Sequence, residues 1–323
     1  MNHLQERDIL FKRHPANPIL TARAWPYVVN TIFNAGAARL ADGAILLLCR
    51  AEDRRGVSHL CAARSKNGVD GWIIDPAPTL LPDPEKHAEE TWGIEDPRIT
   101  FLEGIGKYAV VYSSYSKLGP GVSLALTEDF RQFARFGQIM PPENKDAALL
   151  PKQIGSHWAL IHRPVSPLGA HIWISYSPDL RHWGAHKPVI LARRGSWWDS
   201  GRIGLSAPPI ETPVGWLLIY HGVKETVSGK LYRVGLALLD RERPEVCLRR
   251  GDAWVFGPAT DYERSGDVGN VVFPCGSILE SDGDTLHLYY GAADTCIALA
   301  TGSVKQMLKW LDQHGKDVNA GLE

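Results

Sequence analysis

Short apolar runs, each closed by Gly, Pro, Asn or Asp, recur along almost the whole chain. Residues 44–49, 108–113, 158–162, 216–220 and 286–290 are examples, and all are strand-sized rather than helix-sized. Helical periodicity is convincing only near the end. There Ser303 is placed to cap a segment with Val304, Met307, Leu308 and Leu311 on one face, which predicts a terminal helix packed on a body of sheets.

A weak repeat organises the strands. An apolar segment ends in a small polar residue, and a turn then leads to an aromatic, as in Ala63-Arg64-Ser65 with Trp72, and Ser175-Tyr176-Ser177 with Trp183. The polar markers Ser65, Thr127, Ser177, Asp240 and Thr301 are spaced by 62, 50, 63 and 61 residues. Five copies, each long enough for four short strands, predict an all-β fold: a five-bladed β-propeller with a short C-terminal helix. Blades bury their faces against neighbours and do not fold alone, so residues 1–323 read as a single catalytic domain.

Composition narrows the function classes. With 323 residues, 44% hydrophobic and 22% charged, the chain has ample material for a core. A net charge of −1 and the lack of any basic run argue against a nucleic-acid surface. The opening Met1–Asp8 has no apolar signal core, and no run reaches transmembrane length. Cys49, Cys61, Cys247, Cys275 and Cys296 are odd in number and scattered, which reads as free thiols in a reduced, cytoplasmic enzyme. His162, His171 and His221 lack metal-ligand spacing, so no metal is expected.

The densest chemistry lies at residues 91–98, where Glu95 and Asp96 stand between a Trp-Gly pair and Pro97-Arg98. Pro97 biases Asp96 towards an extended conformation, which puts the acid at a strand entrance. The competing reading is a turn whose side chains cap backbone amides. In a propeller, loops at one end of the channel converge, so polar residues near strand ends in different copies can meet. Those residues are Asn34, Arg50, Asp96, Lys145, Arg163, Arg202, His221, Tyr232 and Asp294.

Several segments then resemble the β-mannoside phosphorylases of glycoside hydrolase family 130. They include Phe33-Asn34-Ala35-Gly36, Gly93-Ile94-Glu95-Asp96-Pro97-Arg98, Asn144-Lys145-Asp146-Ala147, Ile161-His162-Arg163-Pro164, Tyr220-His221-Gly222-Val223, Tyr232-Arg233-Val234-Gly235 and Tyr290-Gly291-Ala292-Ala293-Asp294. They occur in the family's order over roughly residues 17 to 305. The resemblance implies a five-bladed propeller, a hexosyltransferase-type phosphorylase and inorganic phosphate as co-substrate, with no cofactor. It implies Asp96 as catalytic acid, Asn34, Arg50 and Asp294 as mannosyl-binding residues, and Arg163, His221, Tyr232 and Lys145 at phosphate. Arg202 stands where the family often carries Lys, which bears on acceptor preference more than on reaction type.

Elementary chemistry is consistent with that implication. An inverting hydrolase needs an acid and a second carboxylate to activate water; a phosphorylase needs the acid alone, because phosphate arrives as an anionic nucleophile. One acid among several cations favours phosphate. The hydrolase alternative would use Glu225 as its base, and a non-catalytic sugar-binding propeller is the rival from another class. Three further expectations follow. Asp96 should have a raised pKa, Arg163, His221 and Tyr232 should come from different blades, and one of Trp197 and Trp198 is a candidate to touch sugar. The partners expected are an oligosaccharide and phosphate, without nucleic acid or membrane; homo-oligomerisation is left open.

Overall fold

The computed structural model describes residues 10–316 except positions 168 and 228, so the opening Met1–Asp8 segment lies outside the described residues. Successive stretches of chain form antiparallel meanders. The first runs through Thr31–Arg39, Ile45–Glu52, Ser58–Ser65 and Ile73–Ile74, and the second through Ile94–Leu102, Lys107–Ser116, Gly119–Thr127 and Ala134–Met140. The third comprises Asn144–Leu149, Trp158–Ser166, Ile172–Ser177 and Gly184–Ile190, and the fourth Arg202–Leu205, Gly215–Thr226, Gly229–Leu239 and Cys247–Gly251. A single parallel pairing of Ala170 with Arg202 joins these two into one 11-stranded sheet. In the last sheet, Val272–Leu279, Thr285–Ala292 and Cys296–Ser303 are completed by the N-terminal strand Phe11–Arg13, whose Phe11 pairs with Gly302.

The consecutive apolar runs are explained by burial on both faces. Leu46 and Leu48 pack towards the second meander with Tyr108 and Val110, while Ile45 and Leu47, one residue out of phase, pack towards the last sheet with Tyr289 and Leu299. Trp216 and Leu218 likewise face the third meander, and Leu217 and Ile219 face the last sheet. With a side-chain period of two, such strands must be apolar at every position.

The polar markers of the repeat close the third strand of their meanders and cap the turn that follows. Ser65 Oγ accepts from the Gly68 amide at 3.1 Å, Thr127 Oγ1 from Phe130 at 2.9 Å, and Ser177 Oγ from Asp179 at 3.2 Å. Asp240 Oδ1 does the same for Arg243 at 2.8 Å. Thr301 differs: it lies within its strand, paired with Lys12, because the N-terminal strand continues the sheet there. The terminal helix Val304–His314 has Ser303 as its cap, accepting from the Gln306 amide, and buries Val304, Met307 and Leu311.

Candidate active site

All nine polar residues singled out from the sequence line one pocket of roughly 160 Å³, together with Asp146, Val268, Val271 and Phe273. A larger cavity of about 850 Å³ lies at the other end of the first strands, among Ala37, Leu40, Phe101 and Tyr108, but it gathers no comparable set of buried cations. Chemistry rather than volume locates the site.

Local backbone geometry aims the side chains. The first strand of each of the first three meanders breaks register where a polar residue adopts positive φ: Asn34 (47°), Asp96 (50°) and Asp146 (54°). Each sits in a β-bulge, which turns a side chain out of the sheet's alternation. Asp96 is therefore inside the strand and left-handed, not extended at its entrance, and the preference set by Pro97 is overridden. Left-handed non-glycine residues cost roughly 1–3 kcal/mol each, least for Asn and Asp.

Around the acid, Asp96 Oδ1 accepts from Asn34 Nδ2 at 2.9 Å and Arg50 Nη1 at 3.0 Å. Arg50 also donates to Glu52 at 3.0 Å and Glu95 at 3.2 Å, and Lys145 Nζ donates to the other Glu95 oxygen at 3.0 Å. Burial pushes the Asp96 pKa up, but the charges of Arg50 and Lys145 and the Asn34 hydrogen bond outweigh it, and the net direction is down. This reverses the sequence expectation. Glu95, the carboxylate expected to raise Asp96, is itself tied to Arg50 and Lys145. Asp294 behaves in the opposite way: burial pushes it up to about 7, with no hydrogen-bond partner among the described residues.

On the other side of the pocket, Arg163 Nε donates to Asp146 Oδ2 at 2.8 Å, and His221 Nε2 lies 3.4 Å from the same oxygen. His221 stacks near Phe273, with ring centroids 4.6 Å apart, and near Tyr232 at 6.1 Å. Burial lowers the His221 pKa against the pull of Asp146. His221 and Tyr232 belong to adjacent strands of one hairpin, Gly215–Thr226 and Gly229–Leu239, so only Arg163 of the three comes from another meander. A tight hairpin brings them together, and no long-range convergence is needed. Arg202 lines the pocket and reaches Glu225 at 3.4 Å. Glu225 is 63% exposed and does not line the pocket.

Asp146 and Arg98 were not singled out. Arg98 is buried, donating to Asp146 Oδ1 at 3.3 Å and to the backbone carbonyls of Leu205 and Ser206 at 2.7 and 2.6 Å. A signal lies in the chain: Asp146 follows Lys145 and precedes two alanines, much as Asn34 precedes Ala-Gly. The inventory of one acid among cations is thereby corrected to three lining carboxylates, Asp96, Asp146 and Asp294, against Arg50, Lys145, Arg163 and Arg202. The tryptophan pair lies elsewhere. Trp198 is buried, stacked on Tyr220 and donating to the Asp252 carbonyl at 2.9 Å, and Trp197 sits under the Arg193 guanidinium beside a separate cavity.

The sheet body gathers an acid and a cluster of cations in one pocket, and likeness to known proteins gives the class, a glycoside phosphorylase. The chain belongs to glycoside hydrolase family 130, the family described as β-1,4-mannooligosaccharide phosphorylase, whose profile matches residues 11–313. It is 40% identical over 262 residues to a β-1,2-mannobiose phosphorylase of Listeria innocua, covering 80% of this chain and 70% of that protein. It is 32% identical to a β-1,4-mannooligosaccharide phosphorylase of Ruminococcus albus, covering 95% of this chain and 92% of the relative. Among solved structures, a Listeria innocua β-1,2-mannobiose phosphorylase in complex with β-1,2-mannobiose superposes with a TM-score of 0.84 at 31% identity, covering 94% of this chain and 99% of that one.

Proposed function

We propose that this protein is an inverting phosphorylase that cleaves a β-mannoside with inorganic phosphate, giving α-mannose 1-phosphate and a shortened sugar. The observation that carries the reading is the set of donors left over in the pocket. Arg163 spends only Nε on Asp146, and its two terminal nitrogens have no protein partner among the described residues; neither has the Tyr232 hydroxyl. Arg50 and Lys145 are engaged by Glu52, Glu95 and Asp96, so Arg163 and Arg202 are the lining cations with donors to spare for an anion. Phosphate is tetrahedral and multiply charged, and Arg, Lys and Tyr donors match it.

In this reading Asp96 protonates the glycosidic oxygen, Asn34, Arg50 and Asp294 hold the mannosyl unit, and Arg202 lies towards the acceptor. A pocket of roughly 160 Å³ is small against typical ligand sites of about 300–1,000 Å³ and suits one sugar ring with the acceptor outside. The charges of Arg50 and Lys145 favour the ionised form of Asp96. An incoming phosphate offsets the neighbouring positive charge and raises the Asp96 pKa at the moment an acid is needed. Glu225, the base named for the hydrolase alternative, is 63% exposed and lies outside the pocket lining.

The meanders fit five blades around a central channel, in a single domain, with the backbones of the third and fourth blades pairing at Ala170–Arg202. Five clusters of buried side chains, each between neighbouring meanders, support this arrangement. Cys49, Cys61, Cys275 and Cys296 are buried free thiols, in keeping with a cytoplasmic setting.

The test is Arg163→Ala with phosphate and mannoside varied separately. A charge-assisted contact of roughly 1.5–3 kcal/mol predicts about a ten- to hundredfold rise in the phosphate KM, with little change for the mannoside. Equal losses for both substrates would remove Arg163 from the phosphate site.

A further inference from the structure

Beneath the pocket, one buried carboxylate binds both of the side chains assigned to phosphate from different meanders. Asp146 Oδ2 accepts from Arg163 Nε at 2.8 Å and lies 3.4 Å from His221 Nε2, while Oδ1 accepts from Arg98 at 3.3 Å. The residue is 3% exposed, held at φ 54° in a bulge, and surrounded so closely that a Cβ on Gly204 would come within 2.3 Å of Oδ2 and 2.7 Å of His221 Cε1. Arg98, tied to Oδ1, also reaches the Asp96 carbonyl at 3.3 Å, so the same carboxylate is linked to the backbone of the acid.

We propose that Asp146 is a positioning residue for the phosphate subsite: by engaging Arg163 through Nε and His221 through Nε2, it fixes both side chains and leaves the terminal guanidinium nitrogens for the anion. The inference rests on the phosphorylase reading and deepens it. Arg163 is a planar fork, so anchoring Nε sets the plane in which its other donors lie. An Nε2–H donated to Asp146 fixes the His221 tautomer with its proton on that nitrogen and leaves Nδ1 as an acceptor for a protonated phosphate oxygen. The cost of ordering these side chains is then met before phosphate arrives, which is what tight anion binding requires. Asp146 itself is well suited to remain ionised, because the Arg163, His221 and Arg98 groups outweigh the effect of its burial.

A double-mutant cycle tests this. Asp146→Asn keeps the size and removes the charge; it should raise the phosphate KM about tenfold or more, and leave the mannoside KM within about twofold. In an Arg163→Ala background the same change should shift the phosphate KM by clearly less than in the wild-type background, the remainder acting through His221. A merely structural role would lower thermal stability, affect both substrates alike and add independently in the cycle, and that result would overturn the proposal. If Asp146→Asn does not fold, Gly204→Ala displaces the same carboxylate without removing it, and a folded Gly204→Ala enzyme with wild-type phosphate KM overturns the proposal equally. Turnover by the wild-type enzyme that ignores phosphate would instead bring down the phosphorylase reading. Phosphate-dependent wild-type turnover with an unshifted Asp146→Asn would bring down this inference alone.

Discussion

Asp96 and Asp294 share a pocket, yet their proton affinities diverge, and the cause is pairing. Asp96 accepts two hydrogen bonds, one from a cation, whereas half-buried Asp294 has none among the described residues. Asp96→Asn should fold normally and lose turnover by about 10²–10⁴-fold, the usual worth of a general acid; near-normal kcat in that variant rules out Asp96 as the acid. Asp294 also makes a stability prediction. Its folded pKa of about 7 lies above the ordinary value of 3.8, so the folded state binds the extra proton. That contribution is fully present below about pH 4 and is lost as pH rises through 7. Melting temperature of the ligand-free protein should therefore fall over that window, and Asp294→Asn should flatten the slope; an unchanged slope would show that Asp294 is not the group responsible. Asp96 and Asp146, whose pKa values are lowered, act in the opposite window and lose their contribution only as pH falls below about 4.

At the scale of elements, strands were legible from the chain because burial on both faces leaves uninterrupted apolar runs. The terminal helix was legible because Ser303 and the Val304–Met307–Leu311 stripe agree. The bulges were not. An Asn or Asp before small residues looks like any turn, and only the pairing partner shows that Asn34, Asp96 and Asp146 are kinks inside strands. That is also why Asp96 was expected to be extended and Asp146 passed unnoticed. Ser303→Ala should cost about 1 kcal/mol of stability, with no effect on catalysis, read by denaturant unfolding. Gly291 supports the first bulge from the last sheet: a Cβ there would lie 1.9 Å from Asn34 Oδ1. Gly291→Ala should push Asn34 off Asp96 and reduce kcat; retention of full activity would mean that the Asn34–Asp96 contact is dispensable.

For the whole molecule, the architecture explains how residues between positions 34 and 294 come to one pocket of about 160 Å³. Each packed interface between meanders fixes the next, and the N-terminal strand Phe11–Arg13 ties the start of the chain to its final sheet. The apolar runs carried the successive meanders in the sequence, and the polar residues near strand ends carried the lining of the pocket. Neither carried the electrostatics, since the proton affinity of Asp96 depends on which of Glu95, Arg50 and Lys145 pair with one another. The central claim, that mannosyl transfer goes to phosphate rather than water, is tested by incubating the purified protein with a β-linked mannobiose, with and without phosphate, and following the anomeric products by NMR. The account predicts α-mannose 1-phosphate as the first product and negligible cleavage when phosphate is withheld. Free mannose released at the same rate in both incubations would contradict it.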